Sequence, residues 1–198
     1  MSLRNRILPA PVNGGFRMDR YWVWGSSVIK GDRGRYHMFA SRWPKEYPFF
    51  KGYIFGSEIV RAVSDTPEGP YEFAEVVLPD RGGGFWDGRM THNPSVCRWG
   101  DKYVLFHIGT TYSGPRPAPA ELKREENNSS GQRDAYASIR IGMATADAPE
   151  GPWERLSRPV LEPRPGKWDA TIVTNPAPCP LSDGSMHLYY RSNTPNGL

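Results

Sequence analysis

The feature that most constrains this chain is that it repeats itself. Ser64-Asp65-Thr66-Pro67-Glu68-Gly69-Pro70-Tyr71-Glu72 returns as Ala146-Asp147-Ala148-Pro149-Glu150-Gly151-Pro152-Trp153-Glu154, at an offset of 82 residues. The same offset carries Trp86-Asp87 onto Trp168-Asp169, Asn93-Pro94 onto Asn175-Pro176 and Cys97 onto Cys179. After a one-residue slip, residues 102–106 align with 185–189, and an earlier copy lies about 67 residues upstream, where 35–39 match 102–106. Self-similarity at a fixed period is the mark of stacked structural units, none of which buries its apolar face alone.

Each unit reads as strands. A short segment around Val28, Val96 or Ala177 is followed by a Gly/Asp turn and an aromatic-rich strand at 35–41, 102–108 or 186–191. A third strand, 58–64 or 138–146, runs into the Pro-Glu-Gly-Pro turn, and a fourth lies at 71–78 or 153–161. Short β-rich segments punctuated by Gly and Asp are hairpin signals. The 21 Gly and 20 Pro among 198 residues fit many turns and argue against a helical bundle. Four antiparallel strands per unit make the blade of a β-propeller, so the expected class is all-β, a single partial propeller domain over 1–198. Blade one covers about 19–80, blade two about 86–162, and a partial blade three about 168–198. The Pro-rich and then polar stretch 113–134 is expected to interrupt blade two as a loop, and no helix longer than two turns is expected between 20 and 112.

Charge and cysteine content exclude several classes. The net charge of +4 is concentrated at the start, where residues 1–50 hold nine Arg and Lys against three Asp and Glu. These cations are scattered rather than clustered, which speaks for a solvated basic face and against nucleic-acid binding. No run approaches the ~20 apolar residues of a membrane helix. Residues 1–6 lack the apolar stretch of a signal peptide, so the expectation is a cytoplasmic protein with no membrane partner. Cys97 and Cys179 are too few for a disulfide scaffold, and neither has ligand spacing to a His, so no metal and no cofactor is implied. Gly82-Gly83-Gly84 lacks the strand–loop–helix setting of a phosphate loop and reads as a crossing between blades, and Asn128-Ser129-Ser130 carries no weight as a glycosylation signal without export.

An aromatic strand after an Asp/Gly turn, then a strand ending in Ser-Asp-x-x-x-Gly-Pro-Tyr-Glu or its Trp counterpart, resembles the five-bladed propeller glycosidases around glycoside hydrolase family 43. That resemblance implies hydrolysis of glycosidic bonds by carboxylates at the starts of the inner strands, projecting into a central funnel. The matching positions here are Gly25-Ser26, Asn93-Pro94 and Asn175-Pro176, and none is acidic. Asn can hold a hydroxyl but cannot shuttle a proton at neutral pH.

A different set of acids is in register. Asp19, Asp87 and Asp169 stand at equivalent places just upstream of three successive inner strands. They are either a carboxylate triad lining the funnel or the caps of three equivalent turns. The functional version predicts that all three approach one polar cavity containing His92. Glu58 is the candidate proton donor, since Arg140 replaces it in the next unit. Trp24, Trp86 and Trp168 beside these acids are either sugar platforms or interblade filling. His92, replaced by Thr174 in the third unit, either hydrogen-bonds a substrate or an Asp or is a satisfied structural histidine, while Asn93 and Asn175 suit hydrogen bonding to a substrate. Arg89, two residues after Asp87, either pairs with a carboxylate or is an ordinary surface arginine.

Two functions follow: a glycosidase acting on an oligosaccharide, whose paired carboxyls would stand about 5–10 Å apart, or a non-catalytic carbohydrate-binding propeller. A glycoside phosphorylase is a third, requiring phosphate-binding residues that the sequence does not mark. About two and a half blades cannot close a ring, so the chain is expected either to pair as a C2 homodimer or to be part of a longer polypeptide.

Overall fold

The structure, a computed structural model, describes residues 7, 9–124 and 130–193. β1 (Tyr21–Lys30), β2 (Tyr36–Pro44), β3 (Glu58–Ser64) and β4 (Glu72–Leu78) form one antiparallel sheet in chain order. β5 (Met90–Trp99), β6 (Lys102–Thr110), β7 (Arg140–Ala146) and β8 (Glu154–Arg155) form the second. β9 (Ile172–Pro180) and β10 (Met186–Asn193) form a third sheet that has only two strands among the described residues. The all-β, blade-wise architecture is the one the repeat implies. Each first hairpin turns through a glycine in the left-handed region, Gly34, Gly100 or Gly184, where a side chain would be strained.

Alternation along each strand decides how the sheets stack. In sheet one, Phe39 and Ile59 share a face with Leu78 and meet Val96, Leu105 and Ala144 of sheet two. The other face of sheet two carries Val104, Phe106, Ile108 and Ile141 against Ile172 and Val173 of sheet three. Each such side chain withdrawn from water contributes about 1.5–3 kcal/mol, so the two interblade cores hold the sheets in their radial order. The inner strands then lie side by side, β1 against β5 and β5 against β9.

Several elements differ from expectation. α1 (Phe49–Gly56) is eight residues long, a little over the two turns expected as a maximum in this stretch. It occupies the β2–β3 connection, where Ile54 and Phe55 are buried with Trp43 and Tyr47, and it leaves the β2–β3 register intact. The segment expected as a polar loop holds α2 (Pro119–Arg124) and α3 (Ser130–Ala137) instead, because Leu122 and Ala135 find the same apolar cluster. Both α2 and α3 pack on α1, so insertions from two blades form one crown; Asn128 and Ser129 lie outside the described residues. The outer strand of blade two is reduced to β8 and a lone bridge between Ile141 and Leu161. Pro159 within this stretch has no N–H to give the ladder, and the backbone rejoins it only at Val160 and Leu161. The free face of sheet one is also less bare than an open blade would be: Phe16 and Tyr36 cover Met38, Ala62 and Tyr71. Among the described residues no helix is long and apolar enough to cross a membrane.

Candidate functional site

The three inner strands break register at the same point of the repeat. Bulges fall between Trp24 and Ser27, between His92 and Ser95, and opposite Tyr189–Arg191 between Thr174 and Ala177. At each bulge one residue has positive φ: Gly25 (57°), Asn93 (49°) and Asn175 (52°). Asn tolerates this conformation better than other non-glycine residues. Gly25 is needed on steric grounds too, since a Cβ there would stand 2.7 Å from the Asn93 Oδ1. A bulge re-aims the side chains beside it, and here those of Asn93 and Asn175 meet, with the Asn93 amide lying against Gly25. Asn93 Nδ2 donates to Asn175 Oδ1 at 2.7 Å, Thr174 Oγ1 donates to the same oxygen at 2.9 Å, and the Asn93 backbone N–H donates to Ser41 Oγ at 2.8 Å. One polar chain thus ties all three blades together.

Against this polar chain lies a cavity of about 290 Å³. Its floor is the equivalent trio Trp24, His92 and Thr174 with Asn93 and Asn175; its wall is Phe49, Phe50 and Tyr53 of α1, Tyr136 of α3, and Ile139. Arg191 of β10 closes one side, with Trp43, Ile108 and Ile172 behind. Trp24 is 53% exposed and Phe50 81%, so two flat rings are presented to solvent at the opening. Trp24 meets Phe49 edge-on with ring centres 5.5 Å apart.

His92 is the titratable group of the floor. It is 4% exposed, its ring lies 4.8 Å from Tyr53 and 5.5 Å from Trp43, and Nδ1 is 2.8 Å from Ser57 Oγ. Burial pushes its pKa down to about 3, so the imidazole is neutral at physiological pH. Ser57 engages Nδ1 and leaves Nε2 as the second polar atom, donor or acceptor according to tautomer. Tyr53 is held as a phenol, its pKa pushed up to about 12 chiefly by burial, with Tyr136 adding to the rise and Arg191 opposing it.

The anticipated site residues divide. Trp24, His92, Asn93 and Asn175 come together at the cavity. Asp19, Asp87 and Asp169 do not, which corrects the expectation of one shared polar cavity. Asp87 is fully buried, accepts from Arg81 Nε at 2.8 Å and from Arg155 Nη1 at 3.4 Å, and has His107 Nε2 at 3.9 Å. Asp169 is fully buried against Arg164 Nε at 2.8 Å and the Tyr190 hydroxyl at 2.7 Å. Desolvation opposes its charge, but those two hydrogen bonds outweigh it and hold its carboxyl below the ordinary range. Trp86 and Trp168 belong to the same structures, stacked on His107 at 5.6 Å and on Tyr190 at 5.2 Å. The Trp-Asp pair is therefore a latch that fastens the start of blades two and three to their second strands. In blade two the space is made by Gly109 and Gly142, where a Cβ would meet Asp87 Cβ and the Trp86 ring at 2.3 Å. Blade one has Arg42 and Val60 at the equivalent places, and its Asp19 stays exposed beside Tyr21 and Phe73. Glu58 is also outside the cavity, accepting from Arg42 Nε at 2.9 Å. Arg89 lies over the Tyr112 ring at 5.4 Å. The α1 aromatics, Tyr136 and Arg191 were not singled out by sequence; the adjacent pair Phe49-Phe50 in a Pro-flanked connection was the available signal.

Repeat, bulge geometry and sheet order define a β-propeller, of which the described residues form two blades and part of a third. Among solved structures the chain is similar to a family 117 glycoside hydrolase from the marine bacterium Zobellia galactanivorans, with TM-score 0.66 and 19% identity over 89% of this chain and 50% of that one. It is also similar to a GH43 enzyme from Xanthomonas citri (TM-score 0.57, 18% identity, 91% of this chain and 43% of that one). A GH43 β-xylosidase/α-arabinofuranosidase from a compost microbial metagenome aligns with TM-score 0.56 and 17% identity over 89% of this chain and 44% of that one. The fold is thus that of the glycoside hydrolase propellers, and the chain spans about half the length of these solved structures. No protein-family model and no curated protein sequence matches it.

Proposed function

We propose that the axial cavity binds a sugar ring of an oligosaccharide and that the protein is a glycoside hydrolase-like propeller whose hydrolytic carboxylates come from the blades completing the ring. The observation that carries this reading is the cavity itself: exposed aromatic faces on one side, and convergent amide, hydroxyl and imidazole groups on the other. Flat apolar rings suit the C–H faces of a pyranose, and fixed polar groups suit its hydroxyls. The solved structures sharing the fold include enzymes with xylotriose bound. Among the described lining residues there is no Asp or Glu, and that favours the second reading, carbohydrate binding without cleavage, for this chain taken singly.

Ring completion, by a second copy or by a longer polypeptide, is part of the proposal. In blade two the buried Asp87 receives Arg155 from β8, the outermost strand. In sheet three the equivalent strand is absent among the described residues, and the buried Asp169 Oδ1 has no hydrogen-bond partner among them. A strand added beyond β10 would supply one.

The test is calorimetric titration with a panel of oligosaccharides, alongside chromatographic detection of cleavage. Binding that Trp24→Ala and Tyr53→Ala each weaken supports the reading. Binding or cleavage indifferent to both variants overturns it.

A further inference from the structure

The cavity carries one formal charge among its described lining residues, and that charge is Arg191. His92 is neutral, Tyr53 is a phenol, and the other lining side chains are amides, the hydroxyl-bearing Tyr136 and Thr174, or apolar groups. Several other arginines are committed to carboxylates: Arg42 to Glu58 at 2.8 Å, Arg61 to Glu75 at 2.7 Å, Arg164 to Asp169 at 2.8 Å, and both Arg81 and Arg155 to Asp87. Arg191 has no ion pair among the described residues. Its one polar side-chain contact there is Nη2 to Asn193 Oδ1 at 3.5 Å, the outer limit of a hydrogen bond. The repeat sharpens the contrast, because the equivalent residue is Ser41 in blade one and Ile108 in blade two. Blades one and two need no cation at this point of the second strand, so the guanidinium is not a requirement of blade architecture.

A guanidinium presents a rigid fork of donors that matches a planar or tetrahedral oxyanion, and its pairing strengthens where walls exclude water. Arg191 is itself exposed and lines the cavity at its open side, together with the aromatic wall of α1 and Thr174, its partner across the ladder. We infer that the sugar taken by this cavity bears an anionic substituent, a carboxylate or a sulfate ester, which Arg191 receives. This rests on the proposed sugar site and names the class of sugar it accepts. The ring stacks on the aromatic wall, its hydroxyls meet Asn93, Asn175 and His92, and the oxyanion meets the guanidinium.

Titration calorimetry of the protein with hexuronic acid oligomers, sulfated galactan oligomers and their neutral counterparts tests this. The expected result is tighter binding of one acidic series by about ten- to hundred-fold, the increment of charge-assisted hydrogen bonds. The gap narrows as salt is raised. Which series binds tighter distinguishes carboxylate from sulfate. In Arg191→Gln, folded by its melting curve, acidic and neutral oligomers bind alike; Arg191→Lys keeps part of the preference. Arg98→Gln, which removes a surface cation paired with Asp32 outside the cavity, keeps all of it. Equal affinity for acidic and neutral oligomers in the parent protein, or a preference that survives Arg191→Gln, overturns the inference and leaves the sugar site standing. Failure to bind any oligosaccharide overturns both.

Discussion

At the scale of single residues, the aspartates the repeat preserves and the residues that make the cavity are different sets. Asp87 is fully buried against the half-buried Arg81 and Arg155, so Asp87→Asn leaves part-buried guanidinium charge uncompensated. Breaking such a pair from one side costs about 3–5 kcal/mol. Urea denaturation is expected to register a loss of that order, with any loss of ligand affinity following from unfolding. The buried imidazoles make a second prediction. Burial lowers the pKa of His92 to about 3 and that of His107 to about 4, the latter against an opposing pull from Asp87. In the unfolded chain both titrate at about 6.5. Below that pH the unfolded state binds protons that the native state refuses, so stability falls with acidification, by about 1.4 kcal/mol per pH unit for each imidazole. The loss begins as pH drops through about 6.5 and levels off near the folded pKa values. Melting temperature followed from pH 7 to pH 4 is expected to decline steeply, and less steeply in His92→Gln.

At the scale of elements, the insertions carry the aromatic wall of the cavity and the strands carry the frame. α1 is fixed to its blade by Gly52, whose absent Cβ would stand 2.4 Å from Tyr47 Cβ and 3.2 Å from the Trp43 ring. Gly52→Ala is therefore an overpacking change, expected to cost about 1–3 kcal/mol. Because Phe49, Phe50 and Tyr53 ride on this helix, the same variant is expected to weaken oligosaccharide binding as well as to lower the melting temperature. A calorimetric affinity unchanged beside a lowered melting point would detach α1 from the site. The Trp-Asp latch shows the complementary case, an element repeated because it fastens blades: Trp86-Asp87 lies on Gly109 and Gly142, and Trp168-Asp169 lies on Tyr190 and Arg164.

At the scale of the whole molecule, the two ends of the blade array are not alike. The free face of sheet one is covered by Phe16 and Tyr36, whereas in sheet three no strand follows β10 among the described residues, and Tyr189 is 63% exposed and Trp168 53% exposed. An unpaired strand edge beside exposed aromatics is a template for further strands. Light scattering of the chain is expected to return a mass above that of one copy, in line with a ring completed by a second copy. A well-folded monomer, stable on dilution, would instead assign completion to a longer polypeptide or dispense with it.

How much of this was legible in the sequence follows from what each signal measures. The Gly/Asp turns, the aromatic strands and the Pro-Glu-Gly-Pro repeat fix local backbone geometry and the alternation of faces, so strand positions and blade architecture were readable from residues alone. The floor of the cavity was partly readable, because Trp24 and His92 stand at one position of that repeat and Asn93 and Asn175 at the next. The rest was decided in three dimensions. The repeat marked Asp87 and Asn93 equally, and only the register shift at the bulge turns Asn93 to the cavity while Gly109 and Gly142 draw Asp87 away from it. Likewise Tyr53 and Tyr136, 83 residues apart in insertions of different blades, share a wall only because stacked sheets bring α1 and α3 to the same end. Local pattern encodes dihedral preference and which face is apolar; which distant side chains converge depends on how the sheets pack.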